Sequence, residues 1–290
     1  MPNSAASDSL VTDPTFLVTA MVFGLALVLA GGAAVVRAIR AVRLAASGHA
    51  TGGQPCGRVS TAAYRGIDLI GVGWLLAIYT WLALTQIAIM AGMDASERTL
   101  RIPDVAISIL FQGFMGLTVI IVMWPRVRPA DWLGLRPQCW RPVLLLAPVS
   151  VAIMWIVFAA LQAGGYVDWI ESLGVETTQD SVRILQTERS LPLLVLMSFA
   201  AVVVAPVCEE VVFRGYLYPV AKRFWGPAVG ALASSLAFAA AHASLVAMLP
   251  LALFGLLLAW LYERTGTIWA PIAAHACFNG ATVAIQLAIR

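Results

Sequence analysis

The chain has 290 residues, of which 61% are hydrophobic and 11% charged, with a mean hydropathy of +0.88. An ordinary soluble domain carries roughly a quarter charged residues, so this composition excludes a soluble globular protein. It also excludes a disordered chain, a collagen-like fibre and a disulfide-stapled secreted module, because charge is low, Gly and Pro follow no repeat and only 4 Cys are present. The formal charge of +3 and pI near 8.8 are too modest to imply a nucleic-acid partner. What remains is an all-α, polytopic transmembrane helix bundle.

A helix needs about 20 apolar residues to cross the bilayer core. In chain order, eight runs are read as spans: 15–36, 66–92, 104–124, 142–163, 190–208, 227–248, 250–262 and 267–289. The runs are continuously apolar rather than alternating, which argues against a β-barrel. The seventh run is short, and its boundary with the sixth is placed at Pro250. The first 14 residues contain no Lys or Arg and lack the basic region of a cleaved signal, so the first run is expected to be retained. No internal repeat is visible, and residues 1–290 are read as one transmembrane domain.

Basic residues in short loops orient a membrane protein. Arg37, Arg40, Arg43, Arg58 and Arg65 follow the first run, Arg126, Arg128, Arg136 and Arg141 follow the third, and Lys222 and Arg223 follow the fifth. These segments are expected to be cytoplasmic. The alternate loops carry Asp94, Glu97, Asp168, Glu171, Glu176, Asp180 and Glu188, which places both termini on the other side. The acidic stretch from Asp168 to Glu188 is assigned no role. Cys56 and Cys139 fall in arginine-bearing loops and are expected to be reduced; Cys208 and Cys277 are read as small packing residues within helices.

Ionisable residues inside spans cost about 2.5 to 3.5 kcal/mol each, so each one demands a reason. Here they cluster. The fifth run closes with Glu209, Glu210 and Arg214. Glu210 and Arg214 stand at i and i+4, where they can pair, while Glu209 is turned about 100° away. Pro206 just upstream is expected to kink the helix. A solvated helix end would account for Glu210 and Arg214 but leaves Glu209 unexplained. The sixth run adds His242, one turn after Phe238, and the last adds His275 and Asn279 at i and i+4. A single helix histidine is more often a packing residue. Polar groups on three helices of so apolar a chain are best gathered into one intramembrane polar cavity.

Such a cavity has the parts for hydrolysis: a carboxylate with an imidazole to deprotonate water, and a second imidazole with an amide to stabilise an oxyanion. The same atoms allow a second reading, a divalent metal such as zinc held by Glu209, His242 and His275. Spacing alone does not choose between them.

EExxxR at Glu209 to Arg214, FxxxH at Phe238 to His242 and HxxxN at His275 to Asn279, in that order, resemble the three motifs of the CPBP family. This is the CAAX-protease and bacteriocin-processing group of intramembrane endopeptidases, which includes the type II CAAX prenyl endopeptidases. The resemblance covers about the last hundred residues, implies a catalytic core at 190–290 that carries the three motifs, and implies an eight-helix bundle with a water-filled cavity and peptide-bond cleavage. It also implies Glu209 as general base with His242, Glu210 and Arg214 as a supporting pair, and His275 with Asn279 as oxyanion site. The family is often called metalloprotease; the missing HExxH signature favours a metal-free glutamate mechanism here. No GxGD or GxSxG is present, and a thiol nucleophile at Cys208 or Cys277 is disfavoured in apolar surroundings.

Two other classes stay open: a non-catalytic immunity or scaffolding protein of the same family, and a proton-coupled transporter. Lys222 is the only lysine among 18 basic residues. That bias points to a GC-rich bacterial genome and a bacterial inner membrane, where the expected partner is a membrane protein or secreted peptide precursor rather than a prenylated protein.

Overall fold

The computed structural model describes residues 13–47, 58–91, 93, 99–137, 140–176 and 180–290. Cys56, Cys139, Asp94 and Glu97 lie outside the described residues, as do the side chains of Arg37, Arg40, Arg43 and Asp180. The described chain is helical, with no strands. Its helices are α1 (Pro14–Ser47), α2 (Asp68–Ala91), α3 (Ile102–Met123), α4 (Pro129–Trp132), α5 (Arg141–Ala163), α6 (Tyr166–Ser172), α7 (Asp180–Thr187), α8 (Leu191–Trp225), α9 (Pro227–Ala240), α10 (Leu245–Thr265) and α11 (Trp269–Ala288). Six of them are long and apolar enough to cross a membrane, namely α1, α2, α3, α5, α8 and α10. The protein is a multi-pass membrane protein. Leu110, Phe114, Leu144 and Ile156 on α3 and α5 are exposed, as lipid-facing side chains must be, while Trp124 and Trp140 stand at the ends of those helices, where amphipathic rings suit the headgroup level.

α8 is the centre of the bundle and packs against α2, α3, α9, α10 and α11. It is longer than the fifth apolar run: it passes both glutamates and ends only at Trp225. Glu209 and Glu210 are therefore mid-helix, and the solvated helix-end reading fails for them. Lys222, expected in a cytoplasmic loop, is fully buried inside this helix. Its ammonium donates to both Glu263 oxygens at 2.9 and 2.8 Å and to the Val59 carbonyl at 2.9 Å, while the Tyr218 hydroxyl donates to Glu263 Oε2. A buried ammonium is retained only when so paired. Lys222→Met is expected to destabilise the fold by on the order of 3 kcal/mol, because Glu263 loses its charge partner. Thermal unfolding in detergent reads this out, and an unchanged midpoint would contradict it.

The same end of the bundle is tied by Asp68, whose carboxylate accepts from Arg126 Nη1 at 2.6 Å, Tyr216 at 3.0 Å and the Arg65 N–H at 2.6 Å. Leu133 and Leu135 accept from the Ile268 N–H and the Trp269 indole, closing the connection between α10 and α11 onto the α3–α5 connection.

The break between the sixth and seventh runs is displaced from its expected position. It falls at residues 241–244, and Pro250 lies inside α10. The chain reverses after His242 because Ala243 takes φ 50° and Ser244 is extended. Ala243 is the one non-glycine residue with positive φ among those described, a conformation that costs free energy and persists only where surrounding packing imposes it. Pro250 is tolerated because Val246, whose carbonyl its missing N–H would have paired, lies one turn back beside a cavity rather than in lipid. At about 1.5 Å per residue, the 14 residues of α9 reach about 21 Å, short of the roughly 30 Å hydrocarbon core. The α9–α10 turn therefore sits at membrane depth, and it carries His242.

Candidate active site

The site is organised by irregularities in α8. Two π-helical segments, Ala200–Val204 and Phe213–Leu217, flank the α-helical turns that carry Glu209 and Glu210. Each is followed, one residue on, by a proline, Pro206 and Pro219. A proline ring clashes with the carbonyl four residues back, and an extra residue in the turn relieves that clash. The kink expected at Pro206 thus takes the form of a π turn.

Near both prolines a main-chain carbonyl of α8 accepts from side chains outside that helix. In the first π segment the Ala205 N–H pairs with Ala200 O, five residues back. The next N–H in that register would come from Pro206, which has none, and Ala201 O instead accepts from Asn279 Nδ2 at 2.8 Å. Four residues before Pro219, Gly215 O accepts from Tyr64 Oη at 2.5 Å and the Trp132 indole at 2.9 Å. Burial pushes the Tyr64 phenol well above its ordinary pKa, so it keeps its proton and donates. Pro206→Ala would restore an N–H that competes with Asn279 for Ala201 O. The expected result is normal insertion with kcat reduced by up to about 10²-fold through misplacement of the amide. An unchanged kcat would show that the amide does not depend on the proline.

The adjacent glutamates face different surroundings. Glu210 is completely buried, and its Oε1 accepts from Arg214 Nη1 at 2.9 Å and from His275 Nδ1 at 2.9 Å. Arg214, also completely buried, reaches the Gly255 carbonyl through Nη2 at 3.3 Å and places its guanidinium carbon 4.4 Å from the Phe238 ring centroid. Glu209 points instead into a cavity of about 940 Å³, where it is joined by His242, His275 and Asn279. Neither Glu210 nor Arg214 lines that cavity.

The hydrogen bonds settle what each ring presents. The Nδ1 of His242 lies 2.8 Å from the Phe238 carbonyl, which can only accept, so Nδ1 carries the proton and Nε2 is an acceptor when the ring is neutral. Glu210 Oε1 also accepts from Arg214, and with Glu210 as a carboxylate His275 donates to it from Nδ1 and turns Nε2 toward Glu209 Oε2, 4.0 Å away. Glu209 Oε2 and Glu210 Oε2 are both buried without a hydrogen-bond partner in the protein, and of the two only Glu209 lines the cavity. A buried orphan acceptor of this kind calls for a partner from outside the chain.

A metal centre fits these residues poorly. Among the described residues no three His, Cys, Asp or Glu side chains stand together closely enough to hold an ion, so the trio Glu209, His242 and His275 shares a cavity without forming a coordination shell. The cysteines are also apart from the chemistry. Cys208 is half-buried and packs beside Gly116, and Cys277, expected as a packing residue, is exposed; neither lines the cavity.

Several residues that sequence reasoning did not single out hold the site. Phe238 has its edge or face against His242 at 4.9 Å, His275 at 5.7 Å and Phe213 at 5.4 Å, besides Arg214. Its place in FxxxH was the available signal. Phe254 stands perpendicular to His275 at 5.5 Å, and nothing in the apolar run of α10 marks it out. Gly255 lets α9 approach, since a Cβ there would meet Ser235 at 2.8 Å. The acidic stretch left without a role forms α6 and α7, and Tyr166, Ser181, Val182, Leu185 and Gln186 line the cavity.

Against known proteins, a protein of Bacillus subtilis (strain 168) named "Putative membrane peptidase YdiL" is 33% identical over 150 residues, covering 48% of this chain and 58% of that protein. An Escherichia coli protein named "Uncharacterized 24.3 kDa protein" is 33% identical over 96 residues, 31% of this chain and 44% of that one. The chain thus spans about half the length of these curated relatives. No solved structure matches at a significant level. Residues 191–281 match the family described as Type II CAAX prenyl endopeptidase Rce1-like. The segment that brings Glu209, His242, His275 and Asn279 to one cavity is therefore the segment that matches this family, the one that the three motifs resemble.

Proposed function

We propose that this chain is a membrane-embedded endopeptidase that hydrolyses peptide bonds with a water activated by Glu209 and His242. The observation that carries the reading is the division between the two glutamates. Glu210 stands outside the cavity with its Oε1 held by Arg214 and His275, whereas Glu209 lines the cavity together with His242, His275 and Asn279. In this reading a water lies between the Glu209 carboxylate and His242 Nε2. Its oxygen attacks the scissile carbonyl carbon while Glu209 takes its proton. The carbonyl oxygen becomes the oxyanion, which accepts from the Asn279 amide, whose second N–H is not used by Ala201, and from His275 when that ring is protonated. Collapse breaks the C–N bond, and the proton held on Glu209 passes to the leaving amine.

Phe238, Phe254 and Arg214 keep the rings in place, so the site is pre-organised rather than assembled on binding. The test is cleavage by the purified protein, using membrane proteome digests as substrate, with and without a strong chelator. The expected result is cleavage that survives the chelator. Cleavage abolished by the chelator and restored by zinc would replace the glutamate mechanism with a metal one. No cleavage by intact, folded protein would count against the peptidase reading itself.

A further inference from the structure

The cavity has a direction. Its lining comes from the start of α3 at Asp104 and Ser108, the end of α5 at Gln162, the start of α8 at Met197 and the end of α11 at Thr282 and Gln286, with α7 across that end. Gln186 of α7 is bonded to Gln286 of α11 at 2.6 Å. The other ends of the same helices converge on the buried Asp68–Arg126 and Lys222–Glu263 pairs, where Arg58, Arg65, Arg128, Arg136, Arg141, Arg223 and Arg264 are also carried. Among the basic side chains described, nine belong to this second end and four to the cavity end, Arg214 being interior. Lys and Arg in short loops are retained on the cytoplasmic side.

The chemistry of the lining adds a second constraint. Gln112, Gln162, Gln186 and Gln286 offer amides, which pair with main-chain peptide groups in either direction. The ionisable side chains that line it are the carboxylates Asp104 and Glu209, the imidazoles His242 and His275 and the Tyr166 phenol, and no Lys or Arg is among the described lining residues. A free carboxylate drawn into so apolar a space would meet two carboxylates and no permanently charged cation. At about 940 Å³ the cavity is at the upper end of ordinary ligand pockets, roughly 300 to 1,000 Å³, which suits an extended segment better than a single side chain.

We infer that the cavity takes its substrate from the extracytoplasmic face, and that this substrate is an internal, neutral or cationic segment of an exported peptide or of an extracytoplasmic loop, rather than a cytoplasmic carboxyl-terminal tail. The word substrate rests on the peptidase reading; the orientation does not.

The experiment uses the full chain with its four native cysteines replaced, carrying either Ser181→Cys at the cavity mouth or Arg136→Cys at the opposite end. Cells are treated with a membrane-impermeant maleimide before and after permeabilisation. The expected result is complete labelling of Ser181→Cys in intact cells and loss of labelling of Arg136→Cys until permeabilisation. The reverse pattern, or Ser181→Cys labelled only after permeabilisation, overturns the inference. In a second arm, a quenched-fluorescent decapeptide library is added outside right-side-out or inverted vesicles. Cleavage confined to right-side-out vesicles supports the inference, and cleavage confined to inverted vesicles overturns it. Outside labelling of Ser181→Cys with no cleavage in either preparation upholds the orientation and counts against the peptidase reading.

Discussion

Glu209→Gln is expected to lower kcat by about 10²- to 10⁴-fold, the range for loss of a positioned general base, with little change in folding. The amide is nearly isosteric and keeps a hydrogen-bonding oxygen in the cavity, but it accepts no proton from water. Stability is spared because Glu209 has no ion-pair partner within hydrogen-bonding distance: His275 Nε2 stands 4.0 Å away and carries charge only when the ring is protonated. Glu210→Gln is expected to behave differently. It weakens the acceptor shared by Arg214 and His275, so kcat and thermal stability fall together. The measurement is cleavage rate alongside the unfolding midpoint for both variants. Equal loss of stability in both, or retained cleavage in Glu209→Gln, would remove the division of labour on which the mechanism rests.

Arg214→Met is expected to cost about 3 to 5 kcal/mol of stability, the cost of leaving one member of a buried ion pair uncompensated. Both partners are completely buried, and Arg214 also serves the Gly255 carbonyl and the Phe238 ring, so no water can take over its bonds without opening the α8–α9–α10 contact. The double variant Glu210→Gln/Arg214→Met removes both charges and is expected to recover part of that loss while remaining inactive, because His275 keeps no carboxylate at Nδ1. Unfolding in detergent compares the wild type, the single variants and the double. A double variant no more stable than Arg214→Met would mean that the guanidinium acts mainly through packing against Phe238 rather than through charge.

Much of the fold is legible in one dimension because lipid imposes a simple rule: a spanning segment must be apolar and internally hydrogen-bonded. Six helices qualify as spans on length and composition, and α9 and α11 correspond to two further runs. The rule failed where protein, not lipid, surrounds the backbone. Lys222 reads as a loop residue in one dimension because its charge is costly in lipid, but Glu263 and Val59 supply its partners from distant parts of the chain. Pro250 suggested a break because proline lacks an N–H. The chain turned eight residues earlier, where Ala243 is held at positive φ by packing that no local pattern announces.

The composition and the three motifs by themselves determined that this chain is a multi-pass helical membrane protein and which six polar side chains have to be gathered, since each is too costly to leave in lipid alone. Spacing also determined that Glu210 could meet Arg214 on one face of a helix. Only the tertiary structure decided that Glu209 and not Glu210 faces the cavity, that His275 leans on Glu210, and that Asn279 donates to the Ala201 carbonyl. Those outcomes depend on how far apart three helices stand and how they are rotated. Phe238, Phe254 and Gly255 set these quantities by contacts between segments separated in sequence, which no periodicity records.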